Sequence, residues 1–365
     1  MVRPIVRVLL LLLVIGCAEP PLADTATDAY APRTLSPSEA HVVRFRTEPI
    51  FEGETLMIPR ATVCVPAEAG DRPLPVLYAF DGDYFLETLH LCELVAQLAA
   101  EHAIEPWVVV SIGSTDRRTE LLARRPEDLA RAVVEELDPL VAEHVAISRR
   151  RSERALLGYS YGGLAAVRFA LARPNDFGRV IAMSPSLWFD GRSTLASFRR
   201  APRAPVRLYV DAGAREGDPG EVIPYMIDDA RTLVGLARAQ GMTFGRDVVL
   251  REVPRTSHDM ALAASRLPGA LRFTLGNLAL DTTPPLEVSI DVFERPGPRS
   301  PMTFSIDARY SPEIVLSWPI DLADARLDGA PMDTPRVRSS RATISASIAG
   351  VLARSVVGGS GARAD

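Results

Sequence analysis

The hydrophobic positions of this chain fall into short, nearly continuous apolar runs that alternate with longer stretches of helical spacing. Val76 to Phe80, Trp107 to Ile112, Arg154 to Gly158, Val180 to Met183, Val206 to Val210 and Val248 to Leu250 are of the first kind. A run without a polar face suits a strand covered on both sides. Between them, Leu86 to Ala100, Glu127 to Val145, Leu164 to Ala172 and Tyr225 to Gln240 repeat apolar residues at the period of a helix, and a further helix ends near Leu275. Val42 to Phe45 and Ala61 to Val65 read as leading strands. Strands alternating with helices predict an α/β protein with a doubly wound, mostly parallel sheet. Ligands of such sheets bind beyond the C-terminal ends of the strands.

The flanks have a different pattern. Arg3 and Arg7, the apolar run Val8 to Ile15 and then Gly16-Cys17 predict a secretory leader over residues 1–17, too short for a stable membrane span. Val14-Ile15-Gly16-Cys17 resembles a lipobox, so Cys17 is expected to carry lipid and hold an exported bacterial lipoprotein on the periplasmic or outer-membrane side. Residues 18–40, rich in Pro, Asp, Thr and Ala, are expected to be a flexible tether, and residues 41–278 the α/β domain. After Pro284-Pro285 short alternations appear, with Leu286, Val288, Ile290 and Val292 first, then Met302, Phe304 and Ile306, then Ile314, Leu316 and Trp318. They predict a small β-rich extension over residues 279–334. Residues 335–365, lacking aromatics and rich in Arg, Ser, Ala and Gly, are expected to be disordered.

Composition narrows the chemistry. The 365 residues are 47% hydrophobic, enough for a sizeable core, and carry a net charge of −5. All 41 basic Lys or Arg side chains are arginine, and no basic face suited to nucleic acid stands out. His-Glu-x-x-His, Cys-x-x-Cys, Gly-x-Gly-x-x-Gly and a lysine-containing phosphate loop are all missing, so no metal and no organic cofactor is expected. Cys64 and Cys92 lie in a strand-like and a helix-like run and are read as two buried thiols, with one disulfide as the alternative.

The motif that carries chemistry is Gly158-Tyr159-Ser160-Tyr161-Gly162, a G-x-S-x-G between a strand and a helix. In a nucleophile elbow the serine sits on a tight strand-to-helix turn, and the helix N-terminus faces the reacting oxygen. The acid and histidine of such a site follow the serine in the chain. Of the five histidines only His258 does so, in a loop after the strand that begins at Val248. The acid belongs after Val210, where Asp211, Glu216 and Asp218 compete; Glu216 is the first choice, Asp218 the second and Asp211 the third. Two backbone N–H groups would bind an oxyanion: that of Tyr161, and one from Asp81-Gly82-Asp83-Tyr84-Phe85, taken as Asp83.

Several segments in order resemble the esterase family that contains esterase D, enterochelin and salmochelin esterases, feruloyl esterases and, more distantly, the mycolyltransferase antigens. They are Tyr78 to Gly82, Arg117 to Leu121, Gly158 to Gly163, Ser184-Pro185-Ser186-Leu187-Trp188, Gly213 to Glu216 and Ser257-His258, within about Arg44 to Leu275. The resemblance implies an α/β-hydrolase fold and a serine esterase with Ser160, Glu216 and His258 as triad, acting on a small-molecule ester. Trp188 matches a segment near the active-site mouth in the siderophore-esterase branch, and Tyr84 and Arg118 are further candidates to line the substrate. Acyl transfer to an alcohol, and capture of a siderophore without catalysis, are the two other functions considered.

Overall fold

In the computed structural model, residues 45–52, 60–67, 72–114, 116–122, 126–202, 204–217, 226–293, 302–337 and 342–357 are described. The expectations for the leader, Cys17, the tether and Asp218 lie outside them.

Eight strands form one sheet: β1 (Phe45–Glu52), β2 (Arg60–Pro66), β3 (Val76–Phe80), β4 (Val108–Gly113), β5 (Arg154–Tyr159), β6 (Arg179–Met183), β7 (Arg207–Gly213) and β8 (Val248–Val253), in the order β1-β2-β4-β3-β5-β6-β7-β8. β1 and β2 pair antiparallel, as do β2 and β4, and every neighbour from β4 to β8 is parallel. This is an α/β-hydrolase fold. After β3 the chain first moves to β4 on one side, then returns to place β5 on the other. The C-terminal ends of β3 and β5 therefore flank a topological switch point.

Two-residue periodicity divides the sheet's side chains between two cores. Val76, Tyr78 and Phe80 of β3 join one, together with α6 (Tyr161–Ala172) and α8 (Met226–Ala239), whereas Leu77 and Ala79 join the other, under α2 (Leu91–Ala100) and α9 (Leu267–Leu275). The helix expected from Leu86 to Ala100 is broken: α1 (Gly82–Glu87) ends before His90, which takes a left-handed φ of 48° ahead of α2. The stretch from Glu127 divides too, into α4 (Pro126–Ala132), a π turn over Val133–Leu137 and α5 (Asp138–His144). There Asp138 is buried against Arg154, 2.8 Å away, and Tyr78. Two further helices, α3 (Arg117–Leu122) and α7 (Phe189–Arg200), follow β4 and β6.

Cys64 and Cys92 are joined in a disulfide, with their Cα atoms 6.1 Å apart, so the reading as free thiols is corrected. β2, next to the edge strand β1, and α2, whose Cys92 shares a core with Cys64, bring together two residues 28 apart in the chain.

The C-terminal region contains more structure than expected. β10 (Met302–Arg309) pairs with β9 (Glu287–Phe293), β11 (Val315–Ser317) and β14 (Arg336–Val337). A second small sheet has the order β13-β12-β15-β16, from β12 (Arg326–Leu327), β13 (Ala330–Pro331), β15 (Ala342–Ile348) and β16 (Val351–Val357). The expectation of disorder from residue 335 is therefore corrected over β14 and over 342–357. Ala342, Ile344, Ala346 and Ile348 point into a core shared with Phe304 and Ile306. The extension also packs on the main sheet: Trp318 lies edge-on to Phe244, with ring centres 5.1 Å apart, and the Glu252 N–H donates to Ser317 Oγ at 2.8 Å.

Candidate active site

Ser160 stands between β5 and α6 with φ 57° and ψ −113°, a conformation that costs an L-residue free energy and persists only where its surroundings impose it. Two glycines permit the turn. A Cβ on Gly158 would lie 2.2 Å from the Gly162 carbonyl carbon, and one on Gly162 would lie 2.5 Å from Asp81 Oδ2. The Ser160 N–H donates to Met183 O at 2.9 Å and its carbonyl accepts from Leu164 and Ser186, which tie the turn to β6 and α6.

His258 comes from the loop after β8, and Glu216 from the turn after β7. These loops are stitched together, because the Ala214 N–H donates to Val253 O at 2.9 Å and the Arg215 N–H to Thr256 O at 3.0 Å. As a result His258 Nε2 lies 2.9 Å from Ser160 Oγ, and His258 Nδ1 lies 3.3 Å from Glu216 Oε2. A carboxylate only accepts, so the proton of a neutral imidazole belongs on Nδ1, leaving Nε2 to accept the Ser160 hydroxyl. The Tyr159 ring stacks on the imidazole at 5.0 Å, with its hydroxyl 3.3 Å from Nδ1. Burial pushes the Tyr159 pKa well above its usual value, which keeps that hydroxyl neutral.

Ser160 is 7% exposed and Glu216 fully buried. Of the two considered carboxylates that lie among the described residues, Glu216 is the one against His258. Asp211 is also fully buried but turns to Arg266, whose Nε lies 3.4 Å from Asp211 Oδ2. The sequence offered no sign of Arg266, which arrives from the start of α9.

On the oxyanion side, Tyr161 opens α6 and Asp83 is the second residue of α1, both at helix positions whose N–H has no acceptor within the helix. The Asp83 carboxylate turns away to Arg60. The turn before α1 is held by Asp81, at φ 58°, whose carboxylate is clamped by Arg117; Arg117 Nη2 also donates to Tyr159 O at 2.9 Å. Burial raises the Asp81 pKa, and Arg117 opposes that rise. Arg117 thus connects the two turns, whereas Arg118, the candidate named from sequence, is exposed on α3. Trp188 stands with Tyr161 and Phe189 in an aromatic group, with ring centres 6.2 to 6.4 Å apart. Tyr84 is half-buried. Ser186, which sequence reading left without a role, has its hydroxyl 3.2 Å from Ser160 Oγ.

A family model described as "Putative esterase" matches residues 59–233. The chain is 33% identical over 129 residues to the iron(III) enterobactin esterase of Escherichia coli K12, a match covering 34% of this chain and 31% of the relative. It is 33% identical over 177 residues to that of Dickeya dadantii, covering 43% and 40%. The matches thus span less than half the length of these curated relatives. Among solved structures, the ferric enterobactin esterase from Salmonella typhimurium superposes with a TM-score of 0.53 at 20% identity, covering 64% of this chain and 59% of that one. The enterobactin esterase from Shigella flexneri gives 0.52 at 22%, with the same coverage. The match over residues 59–233 and the similarity to the iron(III) enterobactin esterases support an enterochelin esterase-like family for this part of the chain.

Proposed function

We propose that the protein is a serine carboxylic-ester hydrolase that works through an acyl-enzyme. The observation that carries this is the 2.9 Å approach of His258 Nε2 to Ser160 Oγ on a strained strand-to-helix turn. Ser160 Oγ attacks the ester carbonyl while His258 Nε2 takes its proton, and Glu216 stabilises the imidazolium. The N–H groups of Tyr161 and Asp83 hold the oxyanion. His258 then returns the proton to the leaving alcohol, and water, activated by the same imidazole, releases the acid. The names of the relatives and the aromatic group at Trp188, Tyr161 and Phe189 support aryl or siderophore-type esters as substrates.

A fluorophosphonate probe tests this reading. The wild type should be labelled covalently and Ser160→Ala should not; an unlabelled wild type, or equal labelling of both, defeats it. On a panel from short acyl to aryl to siderophore lactone esters, product analysis with added alcohol separates hydrolysis from acyl transfer.

We further propose that Cys17 carries a lipid anchor in an exported protein. The lipobox-like Val14 to Cys17 supports this, and the Cys64–Cys92 disulfide suits an oxidising compartment. Labelled palmitate should enter the wild type but not Cys17→Ser, and equal incorporation would refute the anchor.

A further inference from the structure

Behind the proposed acid lies a group of buried charges that the triad alone does not use. Asp211 and Glu216 are both fully buried, and Arg266, 5% exposed, lies between them, with Nε 3.4 Å from Asp211 Oδ2 and Nη1 3.8 Å from Glu216 Oε1. Ser184 completes the group. Its N–H donates to Asp211 Oδ1 at 2.8 Å, its hydroxyl donates to Glu216 Oε1 at 2.7 Å, and that hydroxyl accepts from Arg266 Nη2 at 3.3 Å. Tyr209 of β7 donates its hydroxyl to Asp211 Oδ2 at 3.2 Å.

Two carboxylates and one guanidinium carry a net charge of −1. If Arg266 faced Glu216 alone, the pair would be neutral and a protonated His258 would have no net counter-charge. If Arg266 were absent, two carboxylates would share a buried site, and one would take a proton. Burial already pushes the Asp211 pKa up, against the opposing pull of Arg266. We infer that Asp211 and Arg266 are positioning residues of the site: Arg266 is shared between two acids so that the unit behind His258 holds one negative charge. This rests on the reading of Ser160, His258 and Glu216 given above. The other ionisable groups around the unit are Tyr159 from β5, Tyr209 from β7 and Arg251 from β8. Burial raises both tyrosines, so both remain neutral.

The test is the pH profile of kcat/KM on an ester turned over by the wild type, whose acid limb reports protonation of His258. Asp211→Asn keeps the shape and takes the unit to zero charge. Its acid limb should move down by about one pH unit, with kcat about tenfold lower and KM within about twofold. Arg266→Gln leaves two carboxylates to share the buried site, so one takes a proton as pH falls, and the acid limb should become steeper than a single ionisation, with kcat lowered. The double variant restores −1 and should return the limb to its wild-type position with kcat above that of Arg266→Gln. Should Asp211→Asn fail to fold, Arg266→Lys, which keeps the charge, is compared with Arg266→Gln: its limb and kcat should lie nearer the wild type. A residue that only packs would lower kcat without moving the limb, or would show no recovery in the double variant. An unmoved limb in Asp211→Asn, or coincident profiles for Arg266→Lys and Arg266→Gln, overturns the inference, provided the wild type is labelled by fluorophosphonate. A wild type that is not labelled instead removes the reading of the site itself.

Discussion

Asp307 offers a stability test of how the C-terminal sheets are held on the α/β domain. It is buried on β10, accepts from the Ser317 hydroxyl, and has Arg251 Nη1 of β8 3.2 Å from its Oδ2. Burial outweighs Arg251 and Ser317 and, with the nearby charges of Asp291 and Glu252, pushes its pKa from 3.8 to about 7. A carboxyl whose folded pKa is raised binds a proton in the folded state that the unfolded chain has already released. Its contribution is complete below about pH 4 and is lost as pH rises towards 7. The interval of about 3 pH units corresponds to roughly 4 kcal/mol at 1.36 kcal/mol per unit, of which about 3 kcal/mol falls between pH 5 and pH 8. Asp307→Asn keeps the shape and an acceptor for Ser317 but cannot titrate. Urea unfolding followed by tryptophan fluorescence, at pH 5 and pH 8, measures the variant against the wild type. The variant's relative stability should be about 3 kcal/mol more favourable at pH 8 than at pH 5. A difference below about 1 kcal/mol, or of opposite sign, would mean that the carboxyl is ionised in the folded state across this range, and the reasoning would fail.

Three further perturbations examine the scaffold and the elbow. Replacing both Cys64 and Cys92 by serine opens a loop of 28 residues and should cost about 3 to 4 kcal/mol in urea unfolding; a cost under about 1 kcal/mol would show that the bridge does not form. Gly162→Ala drives its Cβ against a carboxylate, which can move, so the protein should fold but lose about a hundredfold in kcat as the Asp81–Arg117 clamp shifts the turn before Asp83. Gly158→Ala drives its Cβ against backbone and should not give soluble protein. Wild-type turnover by Gly162→Ala would refute the link between the clamp and the oxyanion side.

What could be read from the chain depended on the range of the interaction. Six parallel strands are apolar on both faces, and such runs stand out without knowledge of their partners. The elbow is a local motif, and His258 follows from chain order alone. The break at His90 is a local departure inside apolar periodicity that no glycine or proline marks, whereas the π turn at Val133–Leu137 is followed by Pro139 in the first turn of α5. The hairpin of β15 and β16 was missed because its inward positions alternate alanine with isoleucine among serines and arginines. A core of small residues then looks like low complexity until Phe304 and Ile306 are set against it. The pairing of Cys64 with Cys92 depends on α2 packing beside β2, which neither local pattern contains.

The acid shows the limit most clearly, because the question put to the sequence was which of three carboxylates is present for His258. In the described structure two of those three lie in the same buried unit. Glu216 faces the imidazole, and Asp211 is turned to Arg266 on the other side of it. Spacing along the chain cannot separate these roles, since both residues leave the same strand end within six positions. They are distinguished by a cation 50 residues beyond Glu216, delivered by α9 to a place where two negative charges would otherwise be buried together. A carboxylate loop in such a fold is therefore better read as a charge balance than as a search for one acid. The residue that closes the balance is to be sought among the arginines at the start of the helix after the histidine loop.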